Sequence, residues 1–444
     1  MPLPELKTRP RYGKILTGIP QASGPSRNAG KGAGNVPDRV IFHADCNNFF
    51  ASCECLERPE LKNVPMAVAG DPENRVGVVV AKNELAKRYG VKTTDTVYQA
   101  KKKCPGIVFV PPRHRYYGEI SRRVNAIYCE YTEYVEPASI DESYLDVTQA
   151  LPFYGLTPTE LADELRRRVR EEIGITISVG VSFCKVFAKM GSDYKKPDAT
   201  TVITRENYRD LLWPLPVSDL LFAGHAAVKK LNGKGIRTIG DLARSRPEDV
   251  RDLLGKQGDV LWRYANGIDD APVQLFGTER EIKSVSRGRT FPRDLTTRRE
   301  IRAAIVYLMD EVARNLRRHN LKGEVVSVQF RRPDMTDISR QTTLDHPTFL
   351  QHELQQAAIR LAEAHWRAED PIRAMTVGVS KLVPAEAAAE QLSLFDLMGG
   401  SAEGRQKRER LEAVVEDLRQ KYGDGSVTLG YQNDAQIGLR RKKE

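Results

Sequence analysis

Two stretches of the chain share one order of strands and helices, and this repeated order limits the possible folds most strongly. In the first stretch, apolar runs with strand or helix spacing follow one another as β-α-β-β-α-β, once an inserted block at residues 50–112 is set aside. The first strand is RVIFHAD at 39–45, and the last is ITISVGV at 175–181. This order is typical of a split ferredoxin-like sheet.

The same order returns further along the chain. SVSRGRTF at 284–291 precedes an amphipathic helix at 301–318, a strand pair, a second helix and the strand AMTVGVSKLV at 374–383. A short helical segment at 205–273 separates the two stretches. Because 444 residues exceed what one hydrophobic core usually serves, we predict an α+β multidomain protein.

Composition limits the partners and the compartment. Lys plus Arg is 69 against 59 for Asp plus Glu, a net charge of +10, which fits a polyanionic partner, although a merely basic enzyme would show the same balance. No apolar run approaches the roughly 20 residues of a membrane span, and the six cysteines form no C-x-x-C pair. We therefore expect a cytoplasmic protein with no membrane partner, zinc module or disulfide framework. Residues 1–37, rich in Gly, Pro and basic residues, are expected to be a disordered basic tail.

Three carboxylates stand at the ends of strand-like segments. Asp45 ends the first buried run, and Asp141 and Glu142 lie between two others. Adjacent residues of a regular strand point to opposite faces, so Asp141 and Glu142 share one site only if the backbone turns there. Crowded carboxylates raise one another's pKa, and a divalent cation such as Mg²⁺ relieves that cost. The alternative is that Asp141 and Glu142 simply cap a turn.

Four motifs occur in a fixed order and carry a family resemblance. DCNNFFASCE (45–54), AKNELAKRYGVKT (81–93), SIDESYLDV (139–147) and VGVSFCKVFAKMGSDYKKP (179–197) resemble the motifs of Y-family translesion DNA polymerases, in the DNA polymerase IV branch. The resemblance implies a right-hand polymerase with a ferredoxin-like palm, small fingers, a helix-hairpin-helix thumb and a little finger with a second split β-α-β unit. It also implies a template-directed, error-prone DNA polymerase that adds dNTPs to a primer 3′-OH and lacks proofreading.

The resemblance also divides the chain into domains. We expect the tail at 1–37, the palm at 38–49 and 113–204, the fingers at 50–112, the thumb at 205–273, a linker at 274–283, the little finger at 284–384, and a C-terminal tail with a charged helix at 385–444.

The family's metal ligands, carried over position by position, fall on Asp45, Asp141 and Glu142. The family uses two Mg²⁺ ions, and the backbone carbonyl of Cys46 would complete the coordination shell of one of them. The same three carboxylates are therefore the expected catalytic residues. The motifs contain no separate general base, and a metal-assisted lowering of the pKa of the attacking hydroxyl would suffice.

Two aromatic residues and one lysine are implied at the nucleotide. Phe50, next to Phe49, falls at the steric-gate position, where a ring under the sugar clashes with a ribose 2′-OH. Core packing is the alternative for such a phenylalanine. Lys196 matches a triphosphate-binding lysine that Asp193 would orient, although a lysine after a helix also interacts favourably with the helix dipole.

The motif at 81–93 departs from the family at two positions. Lys87 stands where an arginine usually contacts the phosphates, and it could do so without the bidentate fork. Glu84 replaces the usual tyrosine. A carboxylate facing a triphosphate would be repelled unless it points away or meets a lysine.

Two further regions are expected to contact DNA. LLFAGHAAVKKLNGKGIRTIGDLA at 220–243 resembles a helix-hairpin-helix that would bring Gly224 and Lys229 to a phosphate, with His225 or Ala226 where a second glycine is usual. A plain helical connector is the alternative. Arginines that alternate with apolar residues in the little finger are expected to follow the duplex backbone, unless they form only a solvated face. The main candidates are Arg287, Arg289, Arg331 and Arg332.

QLSLF at 391–395 resembles the peptide that bacterial polymerases insert into their sliding clamp. Gln391 would be the polar hook, and the other anchors are Leu392, Leu394 and Phe395. The expected partners of the monomer are primer-template DNA, dNTP and the clamp. A non-catalytic DNA-binding and clamp-binding adaptor, or a nucleotide cyclase with a similar palm, are the alternatives. The three carboxylates argue against the adaptor, and the basic second unit argues against the cyclase.

Overall fold

The computed structural model of the chain separates into two compact units. Of the described residues, 38–70 and Gly77–Thr278 form one unit, and those from Glu279 onward belong to the other. The division falls inside the segment 274–283, the expected linker. None of the described helices is long and apolar enough to cross a lipid bilayer. The residues that the structure describes are 38–71, 77–367, 370–386, 401–423, 426–427 and 437–439.

The strands form three sheets within the described residues. In chain order they are β1 (Ile41–Cys46), β2 (Met66–Ala69), β3 (Val79–Lys82), β4 (Val108–Val110), β5 (Val135–Pro137), β6 (Glu142–Asp146), β7 (Ile177–Ser182), β8 (Thr200–Ile203), β9 (Ser284–Leu295), β10 (Leu321–Arg331), β11 (Asp337–Thr348) and β12 (Ile372–Pro384).

The helices lie between these strands in the alternation that the sequence indicated. In chain order they are α1 (Phe49–Glu57), α2 (Glu84–Arg88), α3 (Val97–Lys103), α4 (His114–Cys129), α5 (Ala150–Tyr154), α6 (Pro158–Arg168), α7 (Lys185–Tyr194), α8 (Tyr208–Leu212), α9 (His225–Gly233), α10 (Ile239–Arg244), α11 (Pro247–Leu254), α12 (Lys256–Ala265), α13 (Arg298–Arg318), α14 (Gln351–His365) and α15 (Ser401–Tyr422).

The largest sheet of the first unit has the order β5-β6-β1-β7-β8. β1 is antiparallel to both β6 and β7, and β8 extends the sheet parallel to β7. Setting β8 aside, this is the ferredoxin-like order that the element sequence predicted. All six residues of β1 are buried, because α4 and α6 contribute to a core of which Phe42, Tyr117 and Leu161 are part.

The helix α6 has a defined start and ends before the strand β7 in an irregular turn. Thr157 caps it in a capping box with Glu160, and Pro158 occupies the first turn. α6 ends at Arg168 and passes into a single π-helical turn, Val169–Ile173. The N–H of Gly174, at φ 91°, closes that turn on the carbonyl of Val169, which explains the end of regular α-helix.

The segments expected to be the fingers and the thumb form small elements of the same unit. The fingers contain a three-stranded sheet of order β3-β2-β4, with its own apolar cluster that includes Ala67 and Val79. The thumb is helical, from α8 to α12. A 3₁₀ turn, Val217–Asp219, precedes the expected helix-hairpin-helix at 220–243, within which Gly224 is the N-cap residue of α9.

The second unit has the sheet order β11-β10-β12-β9, and α13 and α14 contribute to its core. Its element order matches the palm, but its central strands are the second and fourth rather than the first and third. β12 separates β9 from β10, so the β-α-β unit is split as expected. α15 packs against α13 through buried ion pairs, of which Arg419 to Asp310 (3.1 Å) and Arg314 to Glu416 (3.0 Å) are examples.

Candidate active site

Strand pairing brings two of the predicted carboxylates together. Asp45, the fifth residue of β1, pairs directly with Glu142, the first residue of β6. Residues directly opposite in an antiparallel pair place their side chains on one face about 5 Å apart, where like charges repel. The fold therefore needs a positive charge at this point of the sheet.

The backbone turns at Asp141 as the shared site requires. β5 ends at Pro137 and β6 begins at Glu142, so Asp141 lies in the connecting turn and is free of strand alternation. Its carbonyl accepts a hydrogen bond from the N–H of Cys46 (2.9 Å), which joins the turn to the end of β1. Its carboxylate accepts a hydrogen bond from the hydroxyl of Ser139 (2.6 Å).

Two ammonium groups compensate the carboxylates. Lys189 Nζ lies 3.1 Å from Asp45 Oδ2, 2.8 Å from Glu142 Oε1 and 3.1 Å from Asp193 Oδ2. Lys196 Nζ lies 2.7 Å from the same Asp45 oxygen and 2.6 Å from Asp193 Oδ1. Asp193 thus contacts Lys196, as the orienting role expected for it requires. The helix α7 supplies Lys189 and Asp193, and the chain beyond it supplies Lys196.

The two paired carboxyls have opposite pKa shifts. Burial raises the pKa of Asp45 to about 6, although Lys196 and Lys189 favour its charged form. The pKa of Glu142 is lowered by His43, whose Nε2 lies 3.6 Å from Glu142 Oε2, and by the hydrogen bond from Lys189. Burial lowers the pKa of His43 itself. At neutral pH the site therefore holds an ionised Glu142 beside a more readily protonated Asp45.

Close packing of α7 on the sheet places its lysine over the carboxylates. Gly180 of β7 touches α7 so closely that a Cβ there would lie 1.9 Å from the carbonyl oxygen of Ala188. Asn47 fixes the segment that carries Lys196, because its Oδ1 accepts a hydrogen bond from the N–H of Asp198 (2.8 Å). Any side chain at position 180 would push Lys189 away from β1.

A cleft of about 290 Å³ opens beside these groups. Phe50 lies in its wall with its ring stacked on Tyr117 at 4.3 Å between centroids, so the ring is held in place. Phe49 also lines the cleft but is only 3% exposed and belongs to the palm core. The lining residues are Asp45, Cys46, Asn48, Phe49, Phe50, Val80, Ala81, Lys82, Thr93, Ile140, Asp141, Glu142 and Lys196.

Comparisons with known proteins match this architecture. Family models match residues 44–193 (impB/mucB/samB family) and 282–394 (impB/mucB/samB family C-terminal domain). The DNA polymerase IV of Acetivibrio thermocellus is 44% identical over 88% of this chain and 97% of that protein. DNA polymerase IV 1 of Bacillus subtilis is 36% identical over 88% of this chain and 92% of its own length. A solved chimeric Y-family DNA polymerase shares the fold, with a TM-score of 0.68 at 24% identity over 78% of this chain and 99% of that one.

The chain belongs to the Y family of DNA polymerases, in the DNA polymerase IV branch. The family resemblance and the fold class inferred from the motifs are thereby confirmed. The chain is a DNA-directed DNA polymerase that binds primer-template DNA and dNTP, and a divalent metal ion is its cofactor.

The donor chemistry at the paired strands fits such a cation. Asp45 and Glu142 offer hard carboxylate oxygens, and the Lys189 ammonium that contacts both shows that a positive charge is stable between them. Within the described ranges, no group of three or more His, Cys, Asp or Glu side chains is arranged to hold a metal ion.

The other predicted nucleotide residue, Lys87, is not at the cleft. Its ammonium lies 3.6 Å from Glu84 Oε1, and that oxygen accepts a hydrogen bond from Asn48 Nδ2 (3.0 Å). Neither Glu84 nor Lys87 lines the cleft. Glu84 thus contacts a lysine, which is one of the two arrangements expected to prevent repulsion between its carboxylate and a triphosphate.

The predicted DNA-contacting residues are divided between the two units. Gly224 is exposed at the N-terminus of α9, and Lys229 is exposed within that helix. Arg287 contacts Glu311 (3.4 Å) and Arg289 contacts Tyr307 (3.3 Å), both on α13, so these two arginines lie on the helix side of the sheet.

Of the other two arginines, Arg331 is the last residue of β10 and lies on the opposite side of the sheet, and Arg332 follows the end of that strand. Arg331 pairs with Asp337 (2.8 Å) directly across β10 and β11, and Arg332 pairs with Asp370 (3.1 Å). The four arginines therefore do not all lie on one side of the sheet, although Arg289 and Arg331 line a common cleft. Gln391, Leu392, Leu394 and Phe395 lie outside the described residues.

Several residues of the site were not found from sequence. Lys189 occurs in the quoted motif KVFAKMGSDYKKP, and its spacing of four residues before Asp193 could have indicated a shared helix face. His43, two residues before Asp45, shares its face of β1 by strand alternation. The positions of Asn48 and Lys82 at the site could not be predicted from the sequence, because they depend on contacts between the palm and the fingers.

Proposed function

We propose that this translesion DNA polymerase extends a primer by two-metal nucleotidyl transfer at Asp45, Asp141 and Glu142. The observation that carries the proposal is the direct pairing of Asp45 with Glu142 at one side of a cleft whose wall also holds Lys196 and Phe50. Two Mg²⁺ ions, held by the three carboxylates and the backbone carbonyl of Cys46, would lower the pKa of the primer hydroxyl and neutralise the leaving pyrophosphate.

The chain's own groups orient the reactants. Lys196, on the palm side, neutralises phosphate charge, and Asp193 keeps its ammonium directed at the site. Phe50 lies under the sugar, and its stacking on Tyr117 prevents the ring from moving aside for a 2′-OH. Deoxynucleotides are selected for that reason.

The rest of the chain holds the DNA. In this proposal, the palm (38–49 and 113–204) carries the chemistry, the fingers (50–112) cover the nucleotide, and the thumb (205–273) contacts the backbone through Gly224 and Lys229. The little finger (284–384) adds a sequence-independent electrostatic attraction. The polymerase is proposed to lack proofreading, so misincorporated nucleotides stay in the product.

The segment QLSLF is proposed to attach the polymerase, acting as a monomer, to the bacterial sliding clamp. A polar hook followed by apolar anchors is the pattern of peptides that insert into preformed pockets. Attachment to a clamp would compensate for weak DNA binding by raising the local concentration of the polymerase at the primer end.

Primer extension by Glu142→Gln tests the mechanism. We expect extension to fall at least a hundredfold while DNA binding, measured by fluorescence anisotropy, changes less than threefold. Glu119→Gln is the matched control, since Glu119 lies on the exposed surface of α4. Retained extension by Glu142→Gln would refute the metal assignment, and DNA binding without extension by the wild-type chain would identify a non-catalytic adaptor.

A further inference from the structure

The fingers side of the nucleotide cleft contains a lysine that faces the catalytic wall. Lys82 is the last residue of β3 and lines the same cleft as Asp45, Asp141 and Lys196. Its ammonium donates a hydrogen bond to the hydroxyl of Thr93 (3.3 Å), which also lines the cleft. The palm and the fingers therefore each present one ammonium to the same space.

Lys82 is held by a neutral group rather than by a carboxylate. Among the described residues, it has a hydroxyl partner and no ion pair within 4.0 Å. Burial and the nearby charge of Lys87 lower the pKa of Lys82. An ammonium in this setting gains more from an arriving anion than one that is already paired.

Lys87 is in the opposite situation. Glu84 partly neutralises it, and Asn48, whose backbone is left-handed at φ 49°, holds Glu84 in place by a hydrogen bond. The charge of Lys87 is thus compensated within the fingers.

We propose that Lys82 contacts the triphosphate of the incoming nucleotide, opposite Lys196, and that Lys87 influences the nucleotide only at longer range. This inference rests on the proposed function. The carboxylates that hold the metal ions take up part of their positive charge, so the triphosphate keeps negative charge that the ions do not neutralise. Two ammonium groups on opposite walls would bridge it as point charges. The two lysines and the carboxylate of the motif KNELAK then have separate roles: Lys82 binds, while Glu84 and Lys87 neutralise each other.

Steady-state kinetics of Lys82→Met test the inference, since methionine keeps the apolar stem and removes the charge. We expect the KM for dNTP to rise at least tenfold, with kcat changed less than threefold. Lys82→Arg should recover KM to within threefold of wild type. Lys62→Met, which removes a charge from the exposed surface of the fingers, should stay within twofold, and Lys87→Met should raise KM less than Lys82→Met does.

A second measurement separates binding from folding. The Kd of dNTP for the complex with a dideoxy-terminated primer should rise in parallel with KM, while the thermal unfolding midpoint stays within about 2 °C of wild type. If Lys82→Met unfolds, Lys82→Gln, which retains a polar group near Thr93, replaces it in both assays. A KM within threefold of wild type, or a larger effect at Lys87, would overturn the inference. A wild-type chain that does not extend primers would instead refute the proposed function.

Discussion

Replacing Lys189 by methionine should destabilise the metal-free polymerase and make its stability depend on divalent ions. Lys189 contacts Asp45, Glu142 and Asp193 within 3.1 Å, and its side chain is only 16% exposed. Removing one partner of a buried ion pair costs roughly 3–5 kcal/mol when the remaining charge cannot be neutralised. Here it can be neutralised, because Asp45 binds a proton more readily than an ordinary aspartate.

The pKa of Asp45 sets the size of the effect. With a pKa of about 6 while Lys189 is present, protonating Asp45 at about pH 7.5 costs about 2 kcal/mol, at 1.36 kcal/mol for each pH unit. Loss of Lys189 raises the pKa of Asp45 further, because Lys189 favours the charged form. We therefore expect Lys189→Met to lower the free energy of unfolding by at most about 2 kcal/mol in EDTA. The raised pKa means that the neutral carboxyl is favoured in the folded state, so the loss should shrink as the pH falls toward 6.

Urea unfolding of the full chain, followed by circular dichroism, measures the change in the free energy of unfolding. Saturating Mg²⁺ should recover most of the loss, because the metal ions would compensate the same carboxylates. The control is Lys195→Met, which removes an exposed lysine near the same site and should change stability by less than about 0.5 kcal/mol. An equal loss with and without Mg²⁺, or no loss in EDTA, would refute the counter-ion role of Lys189.

Three further outcomes are expected. Phe50→Ala should raise ribonucleotide incorporation roughly 10- to 100-fold, and unchanged discrimination in single-nucleotide insertion assays would count against the gate. Glu54→Gln should cost about 2 kcal/mol at neutral pH, because hydrogen bonds from Arg113 and Tyr117 outweigh burial and lower the pKa of Glu54. The cost should begin to shrink below the ordinary carboxyl pKa and disappear only as the pH falls through the lowered pKa of the folded state, and a pH-independent difference in unfolding free energy would contradict this. Leu394→Ala with Phe395→Ala should abolish binding to a sliding clamp in surface plasmon resonance, while extension of a short primer without the clamp stays at the wild-type rate.

The chain's local pattern was enough to predict the palm. The buried run that ends at Asp45 could only be an interior strand, and the alternation of strands and helices around it left few topologies. The turn at Asp141 followed from the need for two neighbouring carboxylates to face one site. The family motifs then supplied Phe50 and Lys196, which the structure brings to the same cleft as Asp45.

The order of the strands within the sheet of the second unit could not be predicted from the sequence. The same β-α-β-β-α-β order is compatible with either pair of central strands, and the choice depends on which strands pair across the sheet. As a result, arginines that alternate with apolar residues in the sequence, such as Arg287 and Arg331, do not share a face. Alternation fixes the faces of one strand, but only pairing relates one strand to the next.

The sequence by itself determined which residue types are available to bind metal, sugar and phosphate, because these residues occur in short motifs. The tertiary structure decided which of them meet. Lys189 lies over the carboxylates because Gly180 lets α7 touch the sheet, and Lys82 rather than Lys87 lines the cleft because β3 ends and α2 begins between them. Local periodicity fixes helices and strands, whereas contacts between groups far apart in the chain arise from packing that no single segment encodes.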